Sequence, residues 1–441
     1  VGLAKLAFKS NDIIIFNNKK NNTKKKNILI FTYMAKKLYN EVKTKKHTKH
    51  RKSETRKHKK HKKHKKHKKH FLRLPNRTPY DINEMSQLIF KNSPTKMPFL
   101  ADSIISSYSP TVNKELVMLQ SIKRDQIHNC NNQKAFELKE PLQIGIPGKI
   151  FGKNCFLYYD PKAIKYLLKN LSANKHINPD KVVPPVQSQS NCWFNTMFVT
   201  LFVSDKGRKF FHFFRQLMIE GIQANGELIP QKLRNGLALL NYAIEACLTG
   251  NEYAYILDTN AIIQNIYDAV PESYKEKLPY ITNVDEAGNP MRYYGSIIHY
   301  LHNKSLQFMF IKDANEKWKD MITKDIEKRL PHFIILEFYD KASETTTNKP
   351  RSFSIKGAKY SLDSCVIRDT TQQHFCATIM CDSKEMAYDG MSYHRLVPLE
   401  WKKYINSDFS WGFEGSNNSD GTPLKWNFTN GYQMLIYYRV K

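Results

Sequence analysis

Apolar residues recur at helical spacing through the middle of this chain and gather into short, strand-length runs towards its end. Pro161 suits the first turn of a helix, and Ala163-Ile164 with Leu167-Leu168 place an i, i+3/i+4 stripe behind it, so residues 161–171 are predicted to be an amphipathic helix. Residues 81–90 form another amphipathic piece. Residues 141–156, with Gly145, Pro147, Gly148 and Gly152, read as strand and turn. Trp193-Phe194 and the apolar run 197–203 predict a buried helix opening at Cys192. Helices dominate 207–330, with helical periodicity over 233–247 and 313–330 and a further helix beginning at 295–301. Residues 360–367 and 375–381 are strand-like. The prolines at 179, 184 and 185 mark residues 178–189 as a linker. A helical part carrying the cysteine and a sheet part following it make an α+β arrangement, its two halves meeting at a cleft.

The polar residues that interrupt this pattern carry the candidate chemistry. Gln187-Ser188-Gln189-Ser190-Asn191-Cys192 is a short polar turn leading into the apolar helix. A cysteine in the first helical turn sees the positive end of the helix dipole, which favours thiolate over thiol. An upstream Gln or Asn can donate a hydrogen bond to the oxyanion that forms when a thiolate attacks a carbonyl. The plainer alternative is a core helix that happens to begin with Cys, since free cysteines are often buried and inert. Downstream, His374 opens the second strand-like run and Asp389 sits in Tyr388-Asp389-Gly390 at the next turn. Such a pair can lie side by side across a hairpin, as a general base and the group that orients it. A lone His at a strand start is usually structural, but Cys, His and Asp in this order favour catalysis. That reading places the Cys192 sulfur near one ring nitrogen of His374 and the Asp389 carboxylate on the other. His394 is a rival base with no acid at a comparable spacing. Asp363, Asp369 and Asp382 rival Asp389 but lack the preceding aromatic residue.

These motifs resemble the ubiquitin-specific proteases, papain-like deubiquitinases whose cysteine box has the form Asn-x-Gly-Asn-Thr-Cys-Tyr-x-Asn-Ser. Gln187 stands where that family has its oxyanion Asn, Trp193 where it has Tyr, and Asn195 matches the Asn three residues after the nucleophile. Tyr360-Ser361-Leu362, His374-Phe375 and Tyr388-Asp389 fill the places of the family's histidine box. Residues 331–338 are similar to the apolar strand that precedes it, and residues 432–439 to the family's closing Tyr-x-Leu-x-Tyr-x-Arg strand. The resemblance spans residues 181–441. Departures are Gln189 in place of the box glycine, Gln373 before the histidine, Glu385 in place of a Trp, and no paired Cys-x-x-Cys. The adenovirus and SUMO-type proteases run His, Asp, Cys along the chain. Secreted papain-like enzymes share the Cys-Trp pair but usually carry disulfides and a signal peptide.

The resemblance implies a papain-like cysteine protease fold with a helical subdomain and an antiparallel β subdomain. It implies a cofactor-free deubiquitinase in which Cys192, His374 and Asp389 act on conjugates of ubiquitin or a ubiquitin-like modifier. Gln187, or Gln189 as the alternative, would serve the oxyanion, with Trp193, Asn195 and Tyr388 in support. The alternative is a non-catalytic protein of protease-like fold that binds ubiquitin and carries a nucleic-acid-binding basic arm.

Composition sets the outer limits. With 41% apolar residues the chain can build a core, and no apolar run approaches the ~20 residues of a membrane helix, so no membrane partner is expected. No secretory signal is visible, and seven scattered cysteines favour free thiols in a reducing compartment, cytoplasmic or nuclear. No spacing suits a metal site. The net charge of +30 is concentrated at one end: residues 1–70 hold 25 Lys and Arg against 3 acids. His58, His61, His64, His67 and His70 recur every third residue among lysines, a pattern that matches no helix face and has nothing to bury. Residues 1–70 are therefore read as a disordered tail, 71–180 as an extension without a chemical motif, and 181–441 as the catalytic domain. Residues 1–33 draw 21 positions from Asn, Lys, Ile and Phe, which reads as translated upstream sequence with the natural start at Met34. The Asn, Lys and Ile richness fits an A/T-rich genome such as that of a large DNA virus or a protist. The tract 34–70 is expected to bind nucleic acid through phosphates, with affinity falling steeply with salt and little affected by sequence. Binding should strengthen between about pH 8 and about pH 6 as the tail histidines charge. Deleting residues 1–70 should remove this binding; an unchanged salt slope in the truncated protein would place the basic site elsewhere.

Overall fold

A computed structural model describes residues 127–147, 154–173, 177–270, 272, 281–284, 288–302, 308–312, 314, 317–326, 330–340 and 348–441. The basic tail, the predicted helix at 81–90 and the rest of 71–126 lie outside the described residues.

The helical half begins with α1 (Gln133–Phe136), the antiparallel pair β1 (Gln143–Ile146) and β2 (Asn154–Leu157), and α2 (Pro161–Ser172). Asp160 caps α2 by accepting the Lys162 N–H, and Pro161 takes the first helical position, where a missing N–H costs nothing. Helices α3 (Cys192–Phe202), α4 (Asp205–Phe210), α5 (His212–Glu220), α6 (Gln231–Thr249), α7 (Thr259–Ala269) and α8 (Pro290–His302) follow. Gly221 and Gly250 end α5 and α6 in the left-handed conformation, which glycine adopts without steric cost. The periodicity at 161–171 and 233–247 thus marks real helices. Residues 127–171 share one apolar core with α3, α5 and α6, through Ile144, Leu167, Phe198 and Leu240 among others.

The sheet half holds β3 (Phe308–Ile311), α9 (Trp318–Asp325), β4 (Phe333–Asp340), β5 (Ser352–Ile355), β6 (Ala358–Arg368), β7 (Phe375–Cys381), β8 (Lys384–Tyr388), β9 (Leu396–Pro398), α10 (Trp401–Tyr404), the short pair β10 (Ser410–Trp411) and β11 (Trp426–Asn427), and β12 (Gly431–Arg439). Among the described residues the main sheet runs β3-β4-β12-β6-β7-β8-β9, with β5 beside β6. The last strand, β12, sits between β4 and β6, antiparallel to both. The sheet is not wholly antiparallel as the sequence suggested: β3 and β4 pair in parallel across the α9 crossover. Side chains alternate between two cores. Phe333, Ile335, Val366, Ala377, Ile379 and Ile436 face the helical half. Ile334, Leu336, Cys365, Ile367, Leu435 and Tyr437 face a layer built from Trp318, Trp401, Trp411 and Trp426. Burial on both faces is why β4 reads as an unbroken apolar run rather than an alternating one.

One further expectation needs correction. Cys130 and Cys155 form a disulfide, so the cysteines are not all free and their number no longer argues for a reducing compartment. Residues 178–189, read as a linker, form a strap that is bonded to both halves. The Val183 N–H bonds the Cys247 carbonyl at 3.0 Å, Tyr388 Oη donates to the Pro185 carbonyl at 2.8 Å, and the Gln187 N–H bonds the Gly390 carbonyl at 2.9 Å. Arg395 donates to the Pro184 carbonyl. Buried Asp363 adds a second tie: from β6 it accepts Ser204 Oγ at 2.6 Å and the Lys206 and Gly207 N–H groups at the start of α4.

Candidate active site

Cys192 is the first residue of α3. Its N–H lies in the opening turn of the helix, where no preceding helical carbonyl can accept it. The rest of the turn is fixed from several sides. Asn191 Nδ2 donates to Thr259 Oγ1 at 2.9 Å; Thr259 in turn donates to Asn195 Oδ1 at 2.7 Å; Asn195 Nδ2 reaches the Val186 carbonyl at 3.2 Å. Trp193 is buried edge-on against Tyr293. Asn195 and Trp193 therefore hold the cysteine turn against α7, α8 and the strap. The free cysteines 247, 365, 376 and 381 are buried, whereas Cys192 is partly exposed. Burial pushes the thiols of the four buried cysteines up, that of Cys381 to about 12, which makes them poor nucleophiles.

His374 precedes β7, and its backbone is set by Asp369, whose carboxylate accepts the N–H groups of Thr371 at 2.7 Å, Gln373 at 2.8 Å and His374 at 2.6 Å. Asp369 thus shapes the loop and leaves the ring to another acid. His374 Nε2 bonds Asp389 Oδ1 at 2.6 Å, with the histidine 5% and the aspartate 0% exposed. Cys192 lies near enough to the ring to raise its affinity for a proton. With Nε2 taken by the carboxylate, Nδ1 is the nitrogen left to the sulfur. Burial pulls the His374 pKa down, but the bonds and charges of Asp389 and Cys192 outweigh it and raise the value to about 10. The imidazolium is therefore the resting form at neutral pH.

Asp389 is anchored in turn. Oδ1 accepts the Met391 N–H at 3.2 Å, and Oδ2 accepts Ser416 Oγ. The Trp426 ring stands 5.9 Å from the His374 ring at a steep angle. Ser416 and Trp426 belong to the segment between β10 and β12, far along the chain, and no local pattern pointed to them. Tyr388 is buried, and its hydroxyl bonds the strap rather than the acid.

The structure thus brings Cys192, His374 and Asp389 together. It leaves the rivals elsewhere: His394 is exposed, Asp363 caps α4, and Asp382 lies in the turn whose N–H groups bond Asp205. Gln187 Nε2 donates to the Gln189 carbonyl at 2.9 Å, and the Gln189 side chain is exposed. Among the described residues no group of His, Cys, Asp and Glu side chains could hold a metal ion.

No family model and no curated protein matches the chain. Among solved structures, an essential yeast splicing factor aligns at 10% identity and a TM-score of 0.33, over 59% of this chain and 70% of that one. The Ubp8/Sgf11/Sus1/Sgf73 SAGA DUB module bound to monoubiquitin aligns at 9% identity and a TM-score of 0.36, over 81% of this chain and 99% of that one. The same module bound to ubiquitin aldehyde gives 10%, 0.34, and 80% and 98%. Likeness at this level fixes neither the family nor the activity, and the chemistry has to be argued from the side chains.

Proposed function

We propose that the chain is a thiol-dependent hydrolase that removes ubiquitin or a ubiquitin-like modifier from proteins, with Cys192 as nucleophile, His374 as acid and base, and Asp389 as the orienting acid. The observation that carries the proposal is the buried His374 ring, bonded on Nε2 to Asp389, with the one partly exposed free cysteine near enough to bear on its charge. Choice of modifier rests on the sequence resemblance in the cysteine and histidine boxes. A macromolecular substrate is further supported by the surroundings of the site. Val186, Tyr255, Ile256, Met391 and Tyr393 are exposed apolar side chains on the segments that flank it, and such patches mark binding surfaces. Arg395, over the Tyr255 ring, ties the helical side of this rim to the sheet side.

In this mechanism the imidazolium of His374 stabilises the Cys192 thiolate, and the helix dipole adds to that effect. The thiolate attacks the carbonyl at the modifier's C-terminus. The Cys192 N–H, free of any helical bond, binds the oxyanion. Gln187 joins it by turning its amide away from the Gln189 carbonyl. His374 gives its proton to the departing amine and then accepts one from the water that cleaves the thioester. The same arrangement, with the nucleophile on a helix and base and acid at the ends of neighbouring strands, supports a papain-like fold.

The test is a ubiquitin probe bearing a C-terminal electrophile. Covalent capture mapped by mass spectrometry to Cys192 is expected. Ubiquitin bound without capture would instead support the non-catalytic binder.

A further inference from the structure

We infer that the β10–β11 segment supplies a positioning residue, Ser416, which holds the Asp389 carboxylate so that Oδ1 stays on His374; this rests on the proposed triad. Asp389 has two oxygens and two tasks. Oδ1 meets His374 Nε2 at 2.6 Å and the Met391 N–H at 3.2 Å, and Oδ2 takes the hydroxyl of Ser416. With both oxygens occupied the carboxylate cannot turn about its χ2 without breaking a bond to a charged acceptor, which is among the stronger hydrogen bonds in a protein.

Ser416 is itself fixed. It is fully buried, its N–H bonds the Phe413 carbonyl at 3.2 Å, and its carbonyl accepts the Leu424 N–H at 3.0 Å. The neighbouring bridge between Asn417 and Pro423 closes the same loop. The far end of the segment brings Trp426 beside the His374 ring, and the indole also packs on Phe413. One segment, outside both sequence boxes, thus touches the acid and the base of the triad. Its hydroxyl donates to Asp389, so its effect passes through that carboxylate.

Removing the hydroxyl frees the carboxylate to rotate and weakens the bond that keeps His374 charged. The imidazolium then loses its proton at lower pH, so the alkaline limit of the thiolate–imidazolium pair moves down. For Ser416→Ala, kcat is expected to fall roughly ten-fold with KM little changed. The alkaline limb of kcat/KM, which reports the His374 proton, should move down, and Ser416→Thr, which keeps the hydroxyl, should restore it. A role in packing alone would lower the amount of folded protein without moving that limb. In an Asp389→Ala background, Ser416→Ala should add nothing, because the group it acts through is gone. Wild-type kcat and an unmoved profile in Ser416→Ala would overturn the inference, as would full additivity with Asp389→Ala. If Cys192→Ala stays active, the triad itself fails. If Cys192→Ala is inactive and Ser416→Ala behaves as wild type, only the role of Ser416 fails.

Discussion

Cys192→Ala is expected to abolish hydrolysis of ubiquitin joined to a fluorescent leaving group while ubiquitin binding persists. Nucleophile and base act as a unit, so removing either should cost about as much as removing both, a loss on the order of 10⁴-fold or more. His374→Ala should therefore come close to Cys192→Ala. Asp389→Asn should cost less, because an amide oxygen can still accept the His374 Nε2–H that Asp389 Oδ1 accepts at 2.6 Å. Its signature lies in pH. The charge and hydrogen bond of Asp389 help hold the His374 pKa at about 10 against burial. With an amide there the imidazolium loses its proton at lower pH, and the alkaline limb of kcat/KM should move down. Undiminished hydrolysis by Cys192→Ala would point to a different nucleophile. An unmoved alkaline limb in Asp389→Asn would mean that Asp389 does not set the charge of the ring.

Local pattern revealed the parts of this site that are local. The strand-like runs at 360–367 and 375–381 correspond to β6 (Ala358–Arg368) and β7 (Phe375–Cys381), because short apolar runs broken by polar turns leave little freedom of register. Asp389 could be paired with His374 because β7 and β8 are neighbours in sequence and in the sheet. What sequence missed is set by distant contacts. Cys130 and Cys155 meet only because β2 folds back beside the segment ahead of α1, and no spacing rule announces that. The prolines that marked a linker also present their carbonyls to Tyr388 and Arg395 from across the junction. Asp369 competed with Asp389 on sequence alone; it is spent on three backbone N–H groups, a use that only the loop geometry reveals. The helical pattern over 313–330 yields the shorter α9 (Trp318–Asp325), since Lys317 and Ile326 already leave helical geometry. Gln187 falls at the oxyanion place by spacing, yet its amide faces Gln189.

Arg215→Ala is expected to be among the most destabilising single changes in the helical half, at about 3–5 kcal/mol. Arg215 on α5 and Glu245 on α6 form an ion pair at 2.6 Å with relative exposures of 1% and 0%. The guanidinium also donates through Nε to Asn241 Oδ1 at 2.8 Å, and Asn241 Nδ2 reaches Tyr158 Oη at 2.8 Å. Asn170 on α2 donates to the other Glu245 oxygen at 2.8 Å. The network joins α2, α5 and α6 beneath the cysteine helix. Replacing the pair by apolar residues need not be costly, but removing Arg215 deletes a buried ion pair and the bond to Asn241 at once. Arg215→Lys keeps the charge but cannot bond Glu245 and Asn241 together in the planar geometry of a guanidinium, so an intermediate loss is expected. Urea unfolding should show the midpoint falling from wild type to Lys to Ala, with the slope unchanged. The fraction that remains folded should still label with the ubiquitin probe at the wild-type rate, because none of the described bonds of this network reaches the triad. A loss below about 1 kcal/mol for Arg215→Ala would show that the buried pair is not needed to hold the helices together, the value being that of an exposed pair.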